Sequence, residues 1–245
     1  VWILTACLAL FMSLSVFMLF VGGIIGSVLA PSKSLSTLPV ATIVVGTAVS
    51  IIPAIRLMSI FGRKKVFLGT CLYTILLIGL CIFSIINESF FLFSFASFCL
   101  GGNVAVMQQF RFAAIESVEL EQRPLATAIV LLGGLISAYL GTEIATLGRD
   151  YFETDFAGSF LILASLFVIA FILMCFFKPA EKFKEQINKS TRPLRNIIKQ
   201  GSFVVAVCAA TTGYVVMSFV MTATPVSMHV MDGFSLDHTK FVLQS

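Results

Sequence analysis

The stretch Pro53-Ala-Ile-Arg-Leu-Met-Ser-Ile-Phe-Gly-Arg-Lys-Lys65 joins two long segments that carry no charged residue. They run from Ser34 to Ile55 and from Val66 to Asn87, and about 20 apolar residues suffice for a helix to cross a bilayer. Because the connection is so short, we expect two antiparallel neighbouring helices. Three adjacent cations favour the cytoplasmic side of a membrane. Residues 62–65, the basic hinge, therefore predict the orientation of the chain.

The composition is that of an integral membrane protein. Of the 245 residues, 58% are hydrophobic and 11% are charged, whereas a soluble domain carries roughly 25% charged residues. The mean hydropathy is +1.03. The net charge of +4 comes from cations in loops rather than from one basic patch, so we expect no nucleic-acid partner. The six cysteines lie in apolar segments without a CxxC pair or histidines at ligand spacing, so we expect buried thiols, no metal and no cofactor.

Six predicted spans precede the one long hydrophilic segment of the chain. This segment, residues 178–199, holds seven cations and two carboxylates, and we predict a cytoplasmic linker that is either solvated or an amphipathic helix on the membrane surface. A seventh span, from Gly201 to Met228, and an outer loop, from His229 to Lys240, lead into the stub of an eighth span. The first six spans are Ile3–Ala30, Pro39 to the basic hinge, Val66–Ile86, Phe90–Ile115, Pro124–Leu147 and Phe156–Phe177.

These spans predict an all-α, polytopic membrane protein. Residues 1–177 would form a six-helix bundle, residues 178–199 the linker, and residues 200–245 the start of a second bundle. The sequence begins without a Met and stops as an apolar segment begins, so we expect it to be a fragment of a longer protein. With the basic hinge inside the cell, eleven cations lie in inner loops and three in outer loops, which agrees with the positive-inside rule.

The plan of six spans, a basic inner linker and further spans resembles the major facilitator superfamily of transporters. The superfamily carries roughly G-x-x-x-D-R-x-G-R-[RK]-[RK] between spans 2 and 3, and the second half of that pattern is matched by Gly62, Arg63, Lys64 and Lys65. In its first half, Ile55, Ser59 and Ile60 replace the Gly, Asp and Arg. The resemblance implies a cytoplasmic gate at the basic hinge that lacks the contacts of that Asp.

Two further motifs carry the resemblance. The segment from Glu116 to Arg123 is similar to the E-x6-R element of several branches, which the resemblance implies to be the partner of the basic hinge. In the fifth span, Ser137, Gly141 and Thr142 occupy the places of the antiporter pattern G-x-x-x-G-P, whose Pro is absent here. The stretch Gln108–Glu116 looks like part of a group of bacterial permeases, which implies the cytoplasmic membrane of a bacterium.

Three ionisable side chains lie inside predicted spans, where a charge costs about 2.5–3.5 kcal/mol by insertion scales. We expect Arg56 in the second span to face the inner loops and to pair there. Arg111 is about 8 Å from the inner end of its span, and either pairs with a loop carboxylate such as Glu116 or acts on the solute or the gate. Glu143 is the one carboxylate flanked by apolar helix. It is either a proton-carrying group or an interfacial acid near Arg149.

Uncharged polar residues supply the remaining candidates. The resemblance places spans 1, 4 and 7 around a central cavity, and in these spans the candidate lining residues are Ser13, Asn103, Gln108 and Tyr214. Such residues either line a path or bond a neighbouring helix.

We find no HExxH, GxSxG or Walker lysine motif in the sequence, so we expect no enzyme and no nucleotide site. We predict a secondary transporter that moves a small solute through the lipid bilayer by alternating access, with proton coupling as one hypothesis. Two alternatives stay open. The protein is a non-transporting membrane protein, such as a receptor-like relic or a membrane-embedded enzyme, or the fragment itself is inactive.

Overall fold

A computed structural model describes residues 1–149, 151–152, 154–177 and 200–244. The predicted linker at residues 178–199 lies outside this range, so both of its interpretations stay predictions. The helices that we number are α1 (Trp2–Leu29), α2 (Leu38–Phe61), α3 (Arg63–Ile86), α4 (Phe90–Met107), α5 (Phe110–Glu116), α6 (Arg123–Leu147), α7 (Ala157–Phe176), α8 (Gly201–Pro225) and α9 (Leu236–Gln244).

Every regular element in the described part of the chain is helical. Seven segments there are long and apolar enough to cross a membrane. Helices satisfy their own backbone hydrogen bonds, which is what the hydrocarbon interior requires of a spanning segment. The predicted all-α, polytopic membrane fold is therefore confirmed, whereas the predicted division into two bundles stays a prediction.

The uncharged helix α1 lies at the centre of the bundle and packs on α6, α7, α2 and α4. Buried phenylalanines join it to its neighbours. The ring of Phe11 lies 5.0 Å from that of Phe110 and 5.2 Å from that of Phe167, measured between centroids. Phe110 also stacks on Phe67 at 4.4 Å. These rings link α1, α3, α5 and α7 close to the basic hinge, at what we call the hinge end of the bundle.

Glycines bring two pairs of helices into backbone contact. A Cβ atom added to Gly101 of α4 would lie 2.5 Å from the carbonyl oxygen of Ile43 in α2. One added to Gly141 of α6 would lie 2.8 Å from the carbonyl oxygen of Ser13 in α1. Small residues that permit such close approach are the usual means of helix association in lipid. Gly141 thereby holds α6 close to α1 in the part of α6 that carries Glu143.

The fourth predicted span, Phe90–Ile115, corresponds to one membrane-length segment, Phe90–Glu116, but its helix is broken. Helix α4 ends at Met107, and α5 begins at Phe110. The reason is a tightened turn, because the backbone N–H of Gln109 bonds the carbonyl of Val106, three residues back, at 2.9 Å. A helix would bond it four residues back.

The prediction that the outer loop extends to Lys240 is wrong. Helix α9 begins at Leu236. The hydroxyl of Ser235 accepts a hydrogen bond from the backbone N–H of His238 at 3.3 Å, and Asp237 supplies a carboxylate in the first turn. Both features stabilise a helix N-terminus. Lys240 is consequently a helical residue rather than a loop residue.

Candidate functional site

The basic hinge joins α2 to α3 through a single residue, Gly62. Its backbone angles are φ 82° and ψ 156°, a conformation open to glycine and strained for other residues. The turn lets α3 begin at Arg63, directly after α2 ends at Phe61. Three cations therefore start α3, and their side chains leave the helix in different directions.

Arg63 binds the end of α5 and the break before it. One terminal nitrogen, Nη2, lies 2.7 Å from Oε1 of Glu116, and the other, Nη1, donates to the carbonyl oxygen of Gln109 at 3.3 Å. The side chains of Arg63 and Glu116 are only 10% and 23% exposed. The ion pair is therefore partly shielded from solvent, where attraction between charges is stronger than at an open surface.

Lys64 binds a different helix. Its Nζ donates to the carbonyl oxygen of Cys175 at 2.6 Å, in the last turn of α7. The last carbonyls of a helix have no partner within it and carry partial negative charge, so a cation there is stabilised. We call the bonds of Arg63 and Lys64 the hinge contacts. They tie the turn between α2 and α3 to α5 and to α7.

Lys65 and Arg123 stand apart from these bonds. Lys65 is exposed and lines a groove between α2, α3 and α4. Arg123 is the first residue of α6, and its Nε atom is buried without a hydrogen-bond partner in the part of the chain that the structure describes. The structure thus brings Glu116, and not Arg123, to the basic hinge.

Glu143 lies in the half of α6 away from the hinge and binds α9. Its carboxylate lies 3.1 Å from Nζ of Lys240, and Nε2 of Gln244 lies 3.5 Å from the same carboxylate and 2.7 Å from the hydroxyl of Thr142. We call Thr142, Glu143, Lys240 and Gln244 the α6–α9 cluster. The sequence pointed to Arg149 as the neighbouring cation, but the guanidinium of Arg149 lies 5.7 Å from the ring centroid of Phe156.

Arg111 and Gln108 bind each other. Nη2 of Arg111 donates to Oε1 of Gln108 at 2.8 Å on the exposed side of the break between α4 and α5. Within the described residues, Arg111 makes no ion pair with Glu116, Glu119 or Glu121. Its role on the solute or the gate stays a prediction.

Asn103 and Ser13 lie in contacts between helices. Asn103 is fully buried and donates from Nδ2 to the hydroxyl of Thr74 at 3.0 Å, while its Oδ1 has no partner within the described residues. Ser13 is fully buried, and its hydroxyl donates to the carbonyl oxygen of Leu10 at 2.7 Å. A role for either residue on a solute path stays a prediction.

Tyr214 lines a cavity of about 460 Å³ between α1, α2 and α8, which we call the α1–α8 cavity. Apolar side chains such as Leu19 and Val44 form most of its wall. The hydroxyl of Ser15 is buried and has no hydrogen-bond partner within the described residues. Ser15 was missed because the sequence does not show which of the hydroxyl side chains in the first span lacks a partner within the fold. The polar residues of the wall are Ser15, Thr37, Thr47, Tyr214, Ser218 and Thr222.

The sequence model of the Major Facilitator Superfamily matches residues 1–243. The chain belongs to the Major Facilitator Superfamily. It is similar to the riboflavin transporter RfnT of Brucella anthropi, with 33% identity over 99% of this chain and 61% of that protein. It is also similar to the uncharacterized MFS-type transporter YddS of Bacillus subtilis, with 24% identity over 85% of this chain and 51% of that protein. No solved structure matches the chain.

The chain spans 61% and 51% of the lengths of these two relatives. As a Major Facilitator Superfamily chain with seven membrane-length apolar segments among its described residues, it is an integral, multi-pass membrane protein. In this member of the superfamily, the hinge contacts and the α6–α9 cluster are two separate sets of charged contacts between helices. Glu143 of the second set is 20 residues from Arg123, the first residue of α6, or about 30 Å along the helix axis.

Proposed function

We propose that the protein to which this chain belongs is a secondary transporter of the bacterial cytoplasmic membrane that carries riboflavin by alternating access. Membership of the superfamily and the similarity to a riboflavin transporter support this proposal. The observation that carries it is the α1–α8 cavity. This cavity combines apolar walls with Tyr214 and a group of hydroxyls.

The chemistry of riboflavin suits such a cavity. Its isoalloxazine ring is flat and aromatic, so it can stack on the ring of Tyr214, which stacking geometry favours. Its ribityl chain carries hydroxyls that can bond the unpartnered hydroxyl of Ser15 and those of Ser218 and Thr222. Ligand sites are typically apolar clefts of about 300–1,000 Å³ with a few placed polar groups.

In this proposal the two sets of charged contacts act as gates. The hinge contacts, which Arg63 makes with α5 and Lys64 makes with α7, would close the cytoplasmic side. The α6–α9 cluster would hold the opposite side. Both sets consist of ion pairs and hydrogen bonds between separate helices, so each can break without unfolding a helix.

We further propose that Glu143 carries the coupling proton. Protonation removes the negative charge that attracts Lys240, at 3.1 Å, and so weakens the bond between α6 and α9. Uptake of a proton by Glu143 would then be linked to opening of the transporter on the side away from the basic hinge. The amide of Gln244 keeps one hydrogen bond to the cluster through Thr142.

The substrate is tested with full-length protein in a bacterium that neither makes nor imports riboflavin. We expect growth at low riboflavin and uptake of radiolabelled riboflavin that collapses when an uncoupler is added. Tyr214→Ala should lower the uptake rate about 5- to 150-fold, because it removes the proposed stacking partner in the α1–α8 cavity, where one stacked base or ring is worth about 1–3 kcal/mol. Tyr139→Ala is the matched control, since Tyr139 is exposed on α6 away from this cavity.

The outcomes distinguish three questions: whether riboflavin is the solute, where it binds, and whether the protein transports at all. No uptake above the empty vector, with the protein present in the membrane, would exclude riboflavin as the solute. Uptake that Tyr214→Ala leaves unchanged would place the solute site elsewhere. Turnover of a substrate in detergent, with no transport in vesicles, would instead favour the membrane-embedded enzyme.

A further inference from the structure

A groove of about 530 Å³ runs along the outside of the bundle between α2 and α3, beside the basic hinge. Helix α2 contributes the wall from Ser50 to Phe61, and α3 contributes the wall from Lys65 to Tyr73. The groove exists because α2 packs mainly on α4 and diverges from α3. It is separate from the α1–α8 cavity, with which it shares no residue.

The length of the groove matches one leaflet of a bilayer. Its α3 wall covers eight residue steps, or about 12 Å, and its α2 wall eleven, or about 16 Å. Half of a 30 Å hydrocarbon core is about 15 Å. A groove that starts at the basic hinge, on the membrane surface, therefore ends near the middle of the membrane.

The two ends of the groove differ in chemistry. The end near the middle of the membrane holds the ring of Tyr73, whose hydroxyl donates a hydrogen bond to the carbonyl oxygen of Cys99 at 2.8 Å. Along the walls, Leu57 and Phe61 are about half exposed. At the mouth lies Lys65, which is exposed and makes no hydrogen bond or ion pair with the rest of the described chain.

We propose that this groove binds an anionic phospholipid of the leaflet on the hinge side, with an acyl chain along α3 and the phosphate headgroup at Lys65. The apolar walls suit the chain, and the single cation at the mouth lies where lipid phosphates lie. The two neighbouring cations, Arg63 and Lys64, are bound within the protein. The lipid would sit against the basic hinge, and this proposal holds whatever solute the protein carries.

Gly69 offers a way to fill the groove without disturbing the fold. It lines the groove in the middle of α3, and a Cβ atom added to it would meet no atom of the described chain within 4 Å. Gly79 is the matched control, because it lies on the same helix, has equally open space among the described residues and does not line the groove. We therefore compare Gly69→Phe with Gly79→Phe, and Gly69→Leu repeats the test with a smaller side chain.

The charge at the mouth has its own pair of variants. Lys65→Gln removes the proposed headgroup contact, and Lys33→Gln removes one cation from the opposite end of the bundle. A cation beside an anionic surface is worth about 1 kcal/mol, which corresponds to about fivefold in affinity.

The measurement is native mass spectrometry of delipidated full-length protein titrated with phosphatidylglycerol or with phosphatidylcholine of the same acyl chains. We expect one tight adduct, about fivefold tighter for phosphatidylglycerol. Lys65→Gln should abolish that preference, and Gly69→Phe and Gly69→Leu should weaken the adduct of both lipids. Gly79→Phe and Lys33→Gln should match the wild type.

Three results would overturn the proposal. Equal affinity of the wild type for both lipids would show that Lys65 makes no selective contact with an anionic headgroup. Adducts of Gly69→Phe and Gly69→Leu equal to those of Gly79→Phe would place the lipid elsewhere. A dimer in the wild type that disappears in the Gly69 variants would assign the groove to a second copy of the protein.

Discussion

Gly62 shows how one residue sets the position of every cation in the basic hinge. At φ 82° and ψ 156°, a side chain would be strained against its own backbone, although no other atom of the described residues lies within 4 Å of an added Cβ. The turn directs Arg63 toward α5 and Lys64 toward α7. The glycine is thus required for its backbone conformation and not for space.

Gly62→Ala is expected to destabilise the full-length protein by about 1–3 kcal/mol, the usual cost of such a conformation for a residue with a Cβ. The melting temperature in detergent measures this. Gly79→Ala is the control, and it is expected to raise the melting temperature. Gly79 is helical with open space around it among the described residues, and alanine favours a helix by about 1 kcal/mol. A melting temperature of Gly62→Ala equal to that of the wild type would mean that the turn can adopt another conformation.

Single residues differ in how far the sequence predicts their partners. The resemblance placed Glu116 beside the basic hinge, and the structure brings its carboxylate to 2.7 Å from Arg63. The partner of Glu143 is not predicted by the sequence, because Lys240 lies 97 positions away in a stretch whose polar composition predicts a loop. No local pattern records a contact of that sequence separation.

At the scale of helices, the break between α4 and α5 and the basic hinge form one structure. The break exposes the carbonyl of Gln109 to Nη1 of Arg63, at 3.3 Å. It also offsets α5, so that Glu116 at its end meets Nη2 of the same side chain. Arg63 therefore links the start of α3 to both ends of α5.

A double-mutant cycle of Arg63→Gln and Glu116→Gln tests this link through the melting temperature of the full-length protein. We expect a coupling energy of about 1 kcal/mol, the upper end for ion pairs near a surface, because both side chains are mostly buried. Arg63→Gln should cost more than Glu116→Gln, because it also removes the bond to Gln109, worth about 1 kcal/mol. Arg56→Gln, an exposed charge on α2, is the control with no expected change. Additive effects of the two single variants would show that the pair does not stabilise the fold.

Hydropathy predicts which segments cross the membrane and says little about how they end. The spans could be predicted because an uncharged stretch of about 20 residues or more is typical of a membrane-spanning helix and rare in a soluble domain. The break at Gln108 was missed because a change of one hydrogen bond leaves hydropathy unaltered. The start of α9 was missed although Ser235 and Asp237 give a capping signal, because the polar composition suggested a loop.

At the scale of the whole molecule, α8 and α9 are joined to the remaining helices by few contacts. Helix α8 is exposed along most of its length and meets the bundle mainly through α1. Helix α9 meets it through α6, where the α6–α9 cluster lies. The charged bond between Glu143 and Lys240 therefore joins the two parts of the chain on the side away from the hinge. A change in its charge can alter the position of α9 while the bundle stays intact.

Two roles of Glu143 lead to different results for Glu143→Gln and Lys240→Gln in proteoliposomes of the full-length protein. If Glu143 carries the coupling proton, as we propose, Glu143→Gln abolishes accumulation of radiolabelled riboflavin driven by an imposed pH gradient. It leaves counterflow exchange without a gradient near the wild-type rate, because the neutral amide resembles the protonated carboxyl, in which the far side can open and bound solute can exchange. Lys240→Gln keeps gradient-driven accumulation, since the carboxylate that takes up the proton is still present.

A purely static bond between α6 and α9 would give another pattern, because neutralising either partner breaks the same contact. Both variants would then lower accumulation and exchange by the same factor. Asp237→Asn is the control, since Asp237 lies 3.6 Å from Lys240 but is 81% exposed, so its loss should change neither measurement. Full gradient-driven accumulation by Glu143→Gln would exclude the proton-carrying role. The comparison of the two partners thus separates a group that takes up a proton from one that only holds two helices together.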